Sequence, residues 1–86
     1  MTSIKMVVGR YYELKRLAAD CTVYIHISGE GEDHCYHLET IIFYYPKNDN
    51  YLVAYGIDST FTTAIWELVG EINKNDFDKL LVREML

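Results

Sequence analysis

The chain has little of several features that would assign it to a particular class of protein. Of its 86 residues only one is proline and two are cysteine, and no apolar run approaches the length that spans a bilayer. No secretory leader precedes Cys21 and Cys35, so we expect free thiols in a reducing, cytoplasmic setting. There is also no repeat, linker or low-complexity segment, which predicts a single domain over residues 1–86.

Sequence signatures of catalysis and of phosphate binding are also missing. The only glycine-containing acidic loop holds Glu30, Glu32 and Asp33, which would repel phosphate. A flexible loop is also a poor place to tune the pKa of a catalytic carboxylate. Cys35 has His37 two residues along, but no oxyanion loop or deep cleft is predicted beside it. We therefore predict a protein that is not an enzyme and binds no cofactor.

One cluster of histidine and cysteine residues leaves a metal site open as an alternative. His26 is predicted to lie opposite His37 on neighbouring strands, on the face that also holds Cys35. Two imidazoles and a thiolate could hold zinc or another divalent ion. The spacing matches no closed structural zinc motif, and a polar strand surface explains the same residues.

Basic residues are scarce outside the N-terminal segment. The net charge is −5, with +2 on residues 1–20 and −7 on residues 21–86. An acidic body binds phosphate backbones poorly, so we expect no direct contact with nucleic acid. It suits a basic surface of another protein, including one that normally holds nucleic acid. The alternative is that the acidity only keeps a small protein soluble.

Apolar periodicity and turn residues predict an α+β fold with the element order α-β-β-β-α-α. A helix is predicted over Thr2–Ala19, although Gly9 weakens it and a short strand at Ile4–Val8 before a helix is the alternative. Three strands are expected to form an antiparallel meander with the helices packed on it. The other predicted elements are strands Cys21–Ser28, Cys35–Tyr45 and Tyr51–Ile57, a helix capped by Asp58, Ser59 or Thr60 and extending through Ile72, and a short helix capped by Asp76.

Both faces of the predicted sheet are apolar, which is unusual for a three-stranded sheet. A register that pairs Ser28 with Cys35 places Cys21, Val23, Ile25 and Ile27 on the face of Tyr36, Leu38 and Thr40. Pairing Tyr45 with Tyr51 then makes one outer patch of Ile41, Phe43, Val53 and Tyr55. A second apolar face must be covered by a helix, by a second copy or by a partner.

These features favour a non-catalytic inhibitor or adaptor that docks on a larger protein. Acidic loops would steer the encounter, and aromatic side chains would anchor it. The candidate acidic contacts are Glu30, Glu32, Asp33 and Asp49, and the candidate aromatic contacts are Tyr24, Phe43, Tyr55 and Trp66. The alternative is a homodimeric structural or regulatory module, in which the outer patch packs against its symmetry mate.

One stretch of the chain has a characteristic order of predicted elements and turns. It begins at Asp20-Cys21-Thr22-Val23 and continues through the Ser28-Gly29 and Asn48-Asp49-Asn50 turns to a helix beginning near Ser59. In element order, turn placement and acidity it resembles small acidic phage proteins that inhibit type II-A CRISPR nucleases. The mechanism that this resemblance implies is DNA mimicry, in which carboxylates occupy the basic cleft where the nuclease reads its recognition duplex. Residues Glu30, Glu32, Asp33 and Asp49 would then be the mimicking groups.

Overall fold

Six strands and one C-terminal helix make up the part of the chain that the structure, a computed structural model, describes: residues 6–16, 18, 20–31, 35–55, 60–62 and 66–85. The elements are β1 (Tyr11–Arg16), β2 (Thr22–Glu30), β3 (Cys35–Tyr45), β4 (Asn50–Tyr55), β5 (Thr60–Thr62), β6 (Trp66–Ile72) and α1 (Lys74–Met85).

The strands form one antiparallel sheet in the order β4-β3-β2-β1-β6. Strand β5 pairs with β3 over Cys35–His37, and β4 pairs with it over Thr40–Tyr45. Strand β2 occupies one edge of β3. Strands β4 and β5 therefore lie end to end along the other edge of β3. Strand β1 pairs with β2 on one side and with β6 on the other.

Strands β5 and β6 require the sheet to curl. Only residues 63–65 separate Thr62, next to β3, from Trp66, next to β1. Four steps of chain reach at most about 14 Å, whereas four strand spacings in a flat sheet measure about 19 Å. The sheet therefore has a barrel-like curvature, with a concave inner face and a convex outer face.

The inner face carries the main hydrophobic core. Alternation along β2 sends Cys21, Val23, Ile25 and Ile27 inward, and all four side chains are buried. Leu14 lies between Val23 of β2 and Leu68 of β6. The remaining buried members of this core are Met6, Tyr12, Tyr36, Leu38, Ile41 and Trp66.

The outer face has a second buried region, part of which lies beneath α1. Ile42 neighbours Ile41 in sequence but points to the opposite face, and it is 0% exposed. Phe77 of α1 is 2% exposed and packs against the ring of Tyr11 with a centroid separation of 4.8 Å. The helix begins after Asn73, whose side-chain oxygen accepts a hydrogen bond from the Asp76 amide at 2.8 Å. The apolar character of both faces of β3 is therefore confirmed.

The predicted α+β fold with the order α-β-β-β-α-α is wrong. The described part of the predicted helix Thr2–Ala19 contains β1, in which the inner Tyr12 and Leu14 alternate with outer side chains. Gly9 has a φ of 89°, which a helix interior does not accommodate. The predicted second helix is replaced by β5 and β6, and the protein is mostly sheet with a short C-terminal helix. Ile4, Ile57, Asp58 and Ser59, which belong to these predicted elements, lie outside the described residues.

The predicted registers are also wrong. Val23 pairs with Phe43 rather than Thr40, and irregularities in β2–β3 pairing follow His26 and Ile27. Tyr45 pairs with Asn50 because Asp49 adopts a φ of 47° and closes the turn one residue early. A one-residue slip moves every side chain to the other face. The predicted outer patch is therefore split, with Ile41 and Phe43 on the inner face and Val53 and Tyr55 on the outer face.

Candidate protein-binding surface

The two ends of the outer face differ in what covers them. At one end, Tyr11 stacks on His26 with ring centroids 4.2 Å apart and an interplanar angle of 12°. Phe77 of α1 closes over this pair, with its centroid 6.4 Å from that of His26. Nδ1 of His26 also lies 3.3 Å from a carboxylate oxygen of Glu39. The helix thus occupies the end of the face where β1 begins.

At the other end, three tyrosine side chains lie on three neighbouring strands. We call Tyr24, Tyr44 and Tyr51 the tyrosine patch. Tyr44 and Tyr51 are cross-strand partners with ring centroids 4.5 Å apart and an interplanar angle of 31°. Tyr24 shares their face because it follows Thr22, the partner of Tyr44, by two residues. All three side chains are half-buried, so they present aromatic area to solvent while fixed by the sheet.

Two carboxylates border the tyrosine patch. Glu13 of β1 is the register partner of Tyr24. Asp49, at the tip of the β3–β4 turn, accepts a hydrogen bond of 3.1 Å from the Tyr44 hydroxyl. This bond fixes the Asp49 side chain against the patch, while the carboxylate remains exposed. The result is an aromatic surface with negative charge at its border.

The surroundings of Tyr24 favour the neutral phenol. Burial raises its pKa to about 12, and the nearby Glu13, Tyr51 and Tyr44 act in the same direction. A phenolate at this position would be partly desolvated and next to a carboxylate. At physiological pH Tyr24 therefore offers a hydroxyl group rather than a charge.

Alkaline titration should detect this environment. The pKa of Tyr24 rises from 10.0 to about 12 on folding, so its stabilising contribution is complete below about pH 10 and is lost as the pH rises through about 12. We expect absorbance at 295 nm to show a late phenolate step in the wild type that is absent in Tyr24→Phe. The thermal midpoint of the wild type should also fall more steeply than that of Tyr24→Phe across this range. Superimposable curves for the two proteins would contradict this placement.

The remaining candidate contacts from the sequence lie elsewhere. Glu30 is exposed at the end of β2, while Glu32 and Asp33 lie outside the described residues. Trp66 is 8% exposed within the inner core, and the Arg16 guanidinium carbon lies 5.9 Å from its ring centroid. Phe43 packs against the same core. Tyr55, on the outer face of β4, is 60% exposed.

The cluster of His26, Cys35 and His37 does not assemble as the register predicted from the sequence requires. His26 pairs with Thr40, whereas His37 pairs with Gly29. The side chain of Cys35 lies outside the described residues. Among the side chains that are described, no group of three or more His, Cys, Asp or Glu residues is placed to hold a metal ion.

Two other described features, the Cys21 thiol and a groove beside α1, have structural surroundings. Burial raises the pKa of the Cys21 thiol, which leaves it protonated and poorly nucleophilic. A shallow open groove of about 380 Å³ beside α1 is lined by Asn75, Asp78, Lys79 and Val82. Asp78 is there joined to Lys74 by an exposed ion pair of 2.9 Å.

The tyrosine patch was only partly visible in the sequence. Tyr24 and Asp49 are sequence candidates that the structure places at one end of the outer face. Glu13, Tyr44 and Tyr51 were not singled out as contacts. The sequence signal for Tyr44 and Tyr51 was their position on either side of the β3–β4 turn. A turn of four residues between Tyr45 and Asn50 makes these two tyrosines cross-strand neighbours.

Comparison of the chain with models of protein families, with curated proteins and with solved structures finds no match. The only helix in the described ranges, α1, is too short and too polar to cross a bilayer.

Proposed function

We propose that this protein is a non-catalytic binding module that docks on a basic surface of a larger protein. The observation that carries the proposal is the tyrosine patch with Glu13 and Asp49 at its border, on a chain of net charge −5. The basic surface would be of the kind that nucleic-acid-handling proteins present to phosphates.

The tyrosine patch has the composition of a protein interface rather than of a solvent-facing strand surface. Tyrosine is enriched in interfaces because its ring contributes apolar area while its hydroxyl tolerates water. Its side chain has few rotatable bonds, and the contact between the tilted rings of Tyr44 and Tyr51 restricts them further. Little conformational entropy is then lost on docking.

The bordering carboxylates supply steering toward a basic partner. Exposed charge at the edge of an interface mainly changes the association rate and makes binding sensitive to salt. Glu30 marks a second acidic region six residues along β2 from Tyr24, about 20 Å away in an extended strand. Glu30 and the tyrosine patch are therefore separate surfaces that substitution can test independently.

A capture experiment with charge-neutralising variants tests this proposal. Tagged protein is used to capture partners from bacterial lysate at low and at high salt, and mass spectrometry identifies what is retained. We expect a stoichiometric basic protein at low salt, with affinity about tenfold weaker for the double variant Glu13→Gln/Asp49→Asn. Asn is chosen at position 49 because it tolerates the positive φ and keeps a hydrogen-bond acceptor.

Two further variants identify the surface that is used. Asp76→Asn/Asp78→Asn removes the same amount of charge from α1 and should leave binding unchanged. Replacing Glu30, Glu32 and Asp33 together by serine tests the acidic loop that DNA mimicry would use. If only this triple variant loses the partner, the loop and not the tyrosine patch is the docking surface. If no variant changes a partner captured by the wild type, charge-steered docking is wrong.

A further inference from the structure

The two outermost strands of the sheet have very different edges. Strands β4 and β6 stand at the ends of the sheet order, and no strand in the described ranges pairs with their outer edges. Strand β6 carries exposed Glu67 and Glu71, and its pairing with β1 is irregular next to Leu14. Charges and bulges of this kind prevent a sheet edge from pairing with another chain.

Strand β4 carries neither a charge nor a bulge, although α1 contacts it. Its sequence, Asn50–Tyr55, contains no charged residue and no proline. Leu52 is 52% exposed and Tyr55 is 60% exposed. The strand is rich in aromatic and aliphatic residues that favour extended structure. An uncharged open edge of this length is a template for adding a strand.

We propose that β4 pairs with β4 of a second copy of this chain, antiparallel and about a two-fold axis at Val53. The strand is close to symmetric about this residue. Tyr51 of one copy then lies opposite Tyr55 of the other, Leu52 lies opposite Ala54, and Val53 meets its own equivalent. Aromatic and aliphatic cross-strand pairs of this kind stabilise antiparallel sheets. The contact is isologous and closes after two copies.

The distribution of charge favours a second copy as the occupant of this edge. Two chains of net charge −5 repel each other over most approaches. An uncharged strand lets them meet without placing like charges opposite each other. An edge without carboxylates offers no charge complementarity to a strand from a basic partner, whereas the near-symmetric sequence of β4 is complementary to itself. The pairing also places Tyr51 of each tyrosine patch next to Tyr55 of the other copy. This dimer goes beyond the proposed function and does not depend on it.

The test is the mass in solution of the purified full chain, measured by sedimentation equilibrium from micromolar concentration up to about 1 mM. We expect a reversible monomer–dimer equilibrium in the wild type. Leu52→Lys should weaken this dimer by at least about tenfold, because lysine on an edge strand opposes pairing. The matched control is Val69→Lys on β6, since Val69 is 56% exposed, and it should dimerise like the wild type.

Every outcome of this series bears on the proposal. A wild type that stays monomeric throughout overturns it, and so does a dimer that survives Leu52→Lys or that Val69→Lys also abolishes. Circular dichroism at the same concentrations checks that both variants are folded. Val53→Cys in a Cys35→Ser background should also form an intermolecular disulfide under oxidation, whereas Val69→Cys should not. Capture of a partner protein by a monomeric wild type would support the proposed function while overturning this inference.

Discussion

Replacing Phe77 by alanine is expected to lower the free energy of unfolding by about 3–5 kcal/mol. Phe77 is almost fully buried and contacts the stacked rings of Tyr11 and His26. Its removal leaves a cavity between α1 and the outer face of the sheet, and the rings of β1 and β2 lose an aromatic neighbour. The change can be measured by urea denaturation followed by far-UV circular dichroism.

The effect should be concentrated in α1. A helix of 12 residues is marginal in water without tertiary contacts. Amide exchange over Lys74–Met85 should therefore accelerate in Phe77→Ala more than exchange in β2, which lies in the centre of the sheet. Val82→Ala is the control, because this exposed side chain lies on the same helix and its truncation should cost less than about 0.5 kcal/mol. Equal costs for the two variants would show that Phe77 does not anchor the helix.

Local sequence signals were sufficient for the middle and the end of the chain. The bounds predicted for β3, Cys35–Tyr45, are those of the structure, and β2 and β4 differ by one or two residues at the described ends. The C-terminal helix is present, although it begins two residues before the predicted cap at Asp76. These elements are bounded by residues with strong turn or capping preferences, such as Pro46 and Asn73.

The elements on either side could not be assigned from local periodicity. Residues spaced four apart, such as Leu68 and Ile72, lie on one side of a helix, and the same spacing also fits the alternation of a strand. What decides between the two is pairing with distant residues. Leu14 of β1 pairs with Leu68 of β6, 54 residues away, and the packing of these strands outweighs local helix propensity.

The candidate surface depended on the register, which the sequence predicted incorrectly. Asp49 closes the β3–β4 turn in a left-handed conformation, and this single residue determines which side chains of β4 point outward. It brings Tyr44 next to Tyr51 and separates Phe43 from Val53. Turn composition indicated a turn at this point but did not fix its length. The predicted aromatic contacts therefore included Tyr24, which lies on the outer face, but also Phe43 and Trp66, which belong to the inner face.

Ile42 provides the sharpest test of the second buried region. Ile42 and Ile41 are adjacent in β3 and point to opposite faces, yet both are buried. If the outer face were an ordinary solvated surface, truncating Ile42 would cost little. We expect Ile42→Ala to lower the free energy of unfolding by about 2–5 kcal/mol, as much as Ile41→Ala, because each leaves a cavity in packed surroundings.

A loss of this size is large for so small a protein. Domains of this length are stabilised by about 5–15 kcal/mol in total, and short chains lie near the lower end. Ile42→Val, expected to cost about 0.5–1.5 kcal/mol, provides a folded variant should Ile42→Ala unfold at ambient temperature. Val69→Ala on exposed β6 should stay within about 0.5 kcal/mol of the wild type. A cost for Ile42→Ala no greater than that of Val69→Ala would mean that α1 and the neighbouring side chains do not form a second core, and that the whole outer face is available for binding.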